Sequence, residues 1–107
     1  MTGHHVFGML DGTVINKTDE LVPLMEKVIE KLNLHEVSRA FHQFEPFGAT
    51  GVIVLSESHF SAHTYPENEK VYLDLFCCSK NFKPDKAASV IMNVFNAELF
   101  QWEYVKR

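Results

Sequence analysis

Between residues 36 and 78 four strand-patterned stretches follow one another with short breaks, and this series most narrows the folds open to the chain. Short connections join antiparallel neighbours, because a parallel pair needs a crossover of a dozen or more residues. Residues 36 to 44 alternate, with Val37, Arg39, Phe41 and Gln43 on one face and Ser38, Ala40, His42 and Phe44 on the other. Gly48-Ala49-Thr50-Gly51 reads as the turn into 52–55, a run apolar on both faces and therefore expected of a central strand. The third stretch, 59 to 65, ends at Pro66. The fourth runs from Val71 to Cys78, with Asp74, Phe76 and Cys78 on one side and Leu73, Leu75 and Cys77 on the other.

The flanks complete the order. His5 to Leu10 reads as a short strand closed by the turn signal Asp11-Gly12. The period then changes: Leu21, Leu24, Met25, Val28, Ile29 and Leu32 recur at helical spacing, which predicts a helix over 20–33 with Pro23 in its first turn. A second helix is expected from Pro84 to Asn96, with Ala88, Ile91, Met92 and Phe95 on one face, and a last strand from Leu99 to Val105. The order β-α-β-β-β-β-α-β implies an α+β two-layer sandwich, an antiparallel sheet with two helices packed on one face. No linker or repeat divides residues 1–107, which read as a single domain.

At 107 residues the chain buries only about 60 to 70% of its unfolded surface, so a thin core invites association with a second copy. The hydrophobic content of 46% is that of a globular protein and not of a disordered one. A net charge of -4 offers no cationic surface to dominate a phosphate backbone, which argues against nucleic acid. No apolar run approaches the roughly 20 residues of a membrane span. The start carries no charged region followed by an apolar stretch, so the expected compartment is the cytoplasm. Cys77 and Cys78 are neighbours, a geometry that disfavours a disulfide, and are expected as thiols.

The chemistry concentrates in Ser56-Glu57-Ser58-His59-Phe60-Ser61-Ala62-His63-Thr64-Tyr65-Pro66-Glu67. A serine hydroxyl held in a strained turn can attack the preceding carbonyl, converting the Glu57-Ser58 amide to an ester. Elimination then leaves dehydroalanine, which hydrolyses to a pyruvoyl group and ammonia. That reaction needs an oxyanion donor and a proton shuttle, for which Thr50, His63 and the backbone of the surrounding turns are candidates. The bland alternative makes Ser56 and Ser58 edge hydroxyls and His63 a half-buried histidine. A serine hydrolase would need a triad of Ser58 or Ser61, His63 and Asp74, without any Gly-x-Ser-x-Gly elbow. His59 and His63 are four apart, a ligand spacing for a helix and not for a strand, so no metal is expected.

The stretch from Phe41 to Cys78 resembles the prokaryotic S-adenosylmethionine decarboxylases, pyruvoyl-dependent enzymes of polyamine synthesis. Four blocks carry the likeness: Phe41-His42-Gln43-Phe44 with Pro46; Gly48-Ala49-Thr50-Gly51; Ser56-Glu57-Ser58-His59 with His63-Thr64-Tyr65-Pro66-Glu67; and Asp74-Leu75-Phe76 with Cys78. The resemblance implies cleavage at Glu57-Ser58 into 1–57 and 58–107, with Ser58 becoming the covalent pyruvoyl cofactor. It implies that His63 assists processing, that Thr50 supports it, and that Cys78 protonates the product carbanion. It makes Phe44 and Glu67 substrate-binding, the ring for stacking on an adenine and the carboxylate for ribose hydroxyls.

The resemblance further implies decarboxylation of a small-molecule substrate through a Schiff base, the task pyridoxal phosphate performs elsewhere, in a homodimer with shared sites. Three positions depart from the family: Thr50 stands for the usual Ser, Cys77 for a Thr, and Met9 for a glutamate. Exchanging a buried carboxylate for a thioether removes a charge that a sulfonium substrate would feel. Decarboxylation of arginine or ornithine on the same scaffold is therefore the alternative to S-adenosylmethionine. An unprocessed, non-catalytic homologue acting as a binding or regulatory module is the reading from another class.

Overall fold

Alternation in the sequence becomes burial in the fold: Leu73, Leu75 and Cys77 are buried, while Asp74 and Phe76 between them face the other way. A computed structural model describes residues 2–107. The elements are β1 (His4–Asp11), α1 (Thr18–Lys31), β2 (Glu36–Gln43), β3 (Ala49–Leu55), β4 (Ser58–Tyr65), β5 (Lys70–Cys77), α2 (Pro84–Val94) and β6 (Leu99–Lys106). Their order is the expected β-α-β-β-β-β-α-β. All pairings are antiparallel in one six-stranded sheet of order β2-β3-β4-β5-β1-β6. Both helices cover one face, giving the expected two-layer α+β sandwich.

Between the layers, Val6, Leu10, Ile53, Phe60, Val71 and Leu75 of the sheet meet Leu21, Met25 and Val28 of α1 and Ala87 and Ile91 of α2, each fully buried. Each large side chain there contributes roughly 1.5–3 kcal/mol by leaving water. Among the described residues no buried side-chain nitrogen or oxygen lacks a hydrogen-bond partner.

Helix α1 begins at Thr18, two residues before the expected start at 20. The Glu20 carboxylate accepts the backbone N–H groups of Asn16 and Lys17, each at 3.0 Å, and the Gln43 side-chain oxygen accepts that of Thr18 at 2.8 Å. Pro23 consequently lies inside the helix and not in its first turn. It is tolerated there because Asp19, whose carbonyl loses the bond Pro23 would have donated, is exposed to water.

The expected turn over 48–51 is also corrected. Strand β3 starts at Ala49 and takes in Thr50 and Gly51. Gly51 serves a close approach instead of a turn, since a Cβ on it would overlap the Phe41 ring. The chain reverses over 44–48, where the Phe44 N–H donates to the Gly48 carbonyl at 2.8 Å and the Gln43 amide donates to Asn16, Phe44 and Gly48 carbonyls at 2.9–3.1 Å.

Strand β3 is flanked by β2 and β4, but only one of its faces is covered. Val52 and Val54 are 38% and 44% exposed on the side away from the helices. That open face carries rows of directly opposed residues. One row runs His42, Thr50, His63, Tyr72, Met9 and Gln101 across the whole sheet.

Candidate active site

Strands β3 and β4 are joined by Ser56 and Glu57 alone, so Ser58 opens β4 opposite Leu55. Ser58 has φ 152°, a conformation that costs a residue with a Cβ about 1–3 kcal/mol. The Glu57 carbonyl oxygen accepts the Cys78 backbone N–H at 3.0 Å. This polarises the carbonyl that the Ser58 hydroxyl would attack, and it places an N–H donor where negative charge develops. The Ser58 Oγ lies 3.6 Å from the Cys78 Sγ.

The two cysteines differ in setting. Cys77 is buried, and burial pushes its thiol up, so it is held protonated as a core residue. Cys78 follows the end of β5, half-buried, with its thiol at Ser58. Glu57 is held from the other side. Partial burial pushes its carboxyl up, but hydrogen bonds from the His35 ring at 2.8 Å and the His35 N–H at 3.1 Å prevail and hold it below the usual carboxylate range.

His63 and Thr50 are elsewhere. On a strand, five residues span about 17 Å, so His63 sits at the far end of β4, on the open face between buried Ala62 and Thr64. There its Nδ1 is hydrogen-bonded to the Thr50 Oγ1. Phe44 packs against it with ring centroids 5.5 Å apart, and Tyr65 stands 4.5 Å away on the other side. Tyr65 meets Tyr72 edge to face at 5.4 Å. His63, Tyr65, Asn68 and Tyr72 line a groove of about 310 Å³. Glu67 lies in the short 3-10 turn Pro66–Asn68, exposed beside it.

The sequence-predicted residues thus form two groups within one chain. Glu57, Ser58 and Cys78 come together at one end of the sheet; Phe44, Thr50, His63 and Glu67 gather at the other. Met9 opposes Tyr72 in the His63 row, so position 9 lies beside the aromatic groove.

The hydrolase triad is not assembled, because Asp74 pairs with His5 and the His63 Nδ1 is taken by Thr50. His59 and His63, four residues apart on a strand, are about 13 Å from each other and cannot share an ion. Among the described residues no group of three His, Cys, Asp or Glu is placed to hold a metal.

Sequence reasoning missed His35, the Cys78 N–H, Tyr65, Asn68 and Tyr72. Alternation from His63 points to Tyr65 on the same face. Nothing local in the sequence signals His35 or the Cys78 N–H.

The arrangement has counterparts. The family model described as S-adenosylmethionine decarboxylase matches residues 5–107. A protein of Archaeoglobus fulgidus named S-adenosylmethionine decarboxylase proenzyme is 34% identical over 104 residues, 94% of this chain and 93% of its own. One of the same name from Picrophilus torridus is 32% identical over 108 residues, 98% of this chain and 83% of its own. The crystal structure of the Aquifex aeolicus adenosylmethionine decarboxylase superposes with a TM-score of 0.89 at 30% identity, covering 98% of this chain and 89% of that one. Matched by the family model over residues 5–107, and by relatives and a solved structure along nearly its whole length, the chain belongs to the S-adenosylmethionine decarboxylase family.

Proposed function

We propose that the chain cleaves itself at Glu57-Ser58 and then, as a pyruvoyl-dependent lyase of polyamine synthesis, decarboxylates S-adenosylmethionine. The observation that carries this reading is the hairpin itself, where a strained Ser58 follows a carbonyl polarised by the Cys78 N–H. The Ser58 Oγ adds to the Glu57 carbonyl carbon, its proton passing to the amide nitrogen as the C–N bond breaks. Loss of the Ser58 α-proton and rupture of the Cβ–Oγ bond then release Glu57 as a carboxylate. Water takes the remaining nitrogen off as ammonia.

These residues fit a pyruvoyl group at position 58, with the Cys78 thiol beside it. When present, that group supplies a carbonyl able to withdraw the electrons freed with carbon dioxide. Cys78 holds the proton that returns to the product carbon. Phe44 and the His63, Tyr65 and Tyr72 groove suit the adenine and its cationic side chain, and Glu67 suits the ribose hydroxyls.

Separation of the two groups by about 17 Å along β4 supports a homodimer in which each site draws on both copies. Two copies packed open face to open face, with their β4 strands antiparallel, set each Ser58 end over the other's His63 end. This also covers Val52 and Val54, and gives the thin core its second layer. Two adjacent free thiols suit a reducing compartment such as the cytoplasm.

Denaturing mass spectrometry of the purified protein should give fragments 1–57 and 58–107, and Ser58→Ala a single intact chain. Carboxyl-labelled S-adenosylmethionine, arginine and ornithine, offered separately, should release labelled carbon dioxide from the first alone. An intact wild-type chain would remove the self-cleavage reading, and release from arginine or ornithine would replace the substrate.

A further inference from the structure

The short connection that bears the scissile bond is strapped to the segment between α1 and β2 by three contacts to one residue. The Ser56 N–H donates to the His35 carbonyl at 2.8 Å. The His35 N–H donates to one Glu57 carboxylate oxygen at 3.1 Å, and the His35 Nδ1 meets the other at 2.8 Å. Neighbouring Glu36 is engaged by Arg39 and does not compete. We propose that His35 is a positioning residue for chain cleavage, fixing the Glu57 side chain so that the Glu57 carbonyl stays on the Cys78 N–H and within reach of Ser58; the proposal rests on the self-cleavage reading.

The physical case is one of constraint. Glu57 is one of only two residues in the connection, and each of its acceptors is engaged: the carboxylate by His35, the carbonyl by Cys78. Held at both ends, its peptide group cannot rotate away from the hydroxyl, which is how a positioned reactant lowers an intramolecular barrier. With the carboxylate released, the peptide can turn and the strain at Ser58 relax without reaction. The imidazole itself is 72% exposed, so it holds Glu57 without supporting the core.

The test follows pulse-labelled chains from cell-free synthesis on denaturing gels as they convert into 1–57 and 58–107. His35→Ala should slow conversion about three- to tenfold, the loss expected of an exposed charge-assisted hydrogen bond. His35→Asn keeps an N–H donor near the Nδ1 position and should restore the rate to within about twofold. In the uncleavable Ser58→Ala background, His35→Ala should leave the thermal midpoint within about 2 °C of its parent, as for a surface change.

Cleavage of His35→Ala at the parental rate would overturn the proposal. So would an Asn variant as slow as the Ala variant, or a midpoint that falls in step with the rate. If the parent yields no fragments at all, the self-cleavage reading fails first and takes the proposal with it.

Discussion

Replacing Ser58 separates the strain in the scissile hairpin from its chemistry. Ser58→Ala and Ser58→Gly both lack the hydroxyl, so both chains should remain intact, and they differ only in the backbone they prefer. At φ 152° a residue with a Cβ carries about 1–3 kcal/mol of strain, while glycine adopts positive φ freely. Against this, glycine loses about 0.5–1 kcal/mol to its larger unfolded freedom. The difference leaves Ser58→Gly more stable than Ser58→Ala by about 1 kcal/mol, the reverse of the usual order of these residues in a strand. Urea unfolding at one fixed protein concentration reads this as a midpoint roughly 0.5 M higher for the glycine variant, or about 4 °C in a thermal melt. An alanine variant equal to or more stable than the glycine variant would refute the strain, and with it the argument that the hairpin is loaded for attack.

Cys78→Ala should still yield both fragments, its backbone N–H being retained, while decarboxylation per cleaved chain falls about a hundredfold or more through loss of the proton donor, measured as labelled carbon dioxide. Ser58→Ala and His63→Ala chains should each be inactive alone. Co-synthesised, they should recover cleavage and activity in mixed dimers, where one of the two shared sites is intact; no recovery would argue that each site is built within one chain. Glu57 sets an acid dependence: its folded carboxyl is held below the ordinary value of 4.5, so its contribution is full above that pH and is lost as the pH falls through the lowered folded value. In the Ser58→Ala background, Glu57→Gln should therefore lose less stability than its parent between about pH 5 and pH 3, followed by denaturant unfolding.

Much of the fold was legible because burial on one face imposes a period. Leu21, Met25, Val28 and Ile29 declare α1, and Leu73, Leu75 and Cys77 declare β5, each through the face it hides. What misled were residues whose composition suits two purposes. Gly51 reads as a turn former, yet it lies flat within β3 to admit the Phe41 ring, which belongs to the neighbouring strand. Pro23 reads as a first-turn residue, but Glu20 and Gln43 start the helix earlier by bonding its free N–H groups and their flank. The placement of β1 between β5 and β6 has no local signature either.

The site shows a deeper limit of reading along the chain. Ser58 and His63 stand five residues apart and look like partners, but an extended backbone makes them strangers, about 17 Å from each other. Cys78, twenty residues on from Ser58, is the true neighbour, because β4 and β5 pair Ser58 with Cys77 and set Cys78 just past the strand end. Met9, distant in sequence from everything it bears on, stands across from Tyr72 in the row that holds His63. The thioether therefore borders the aromatic groove and not the scissile hairpin of its own chain. If the open faces of two copies meet, cleavage at Ser58 and substrate capture at the groove are performed by different chains, and the substitution at position 9 acts on the reaction only across that interface.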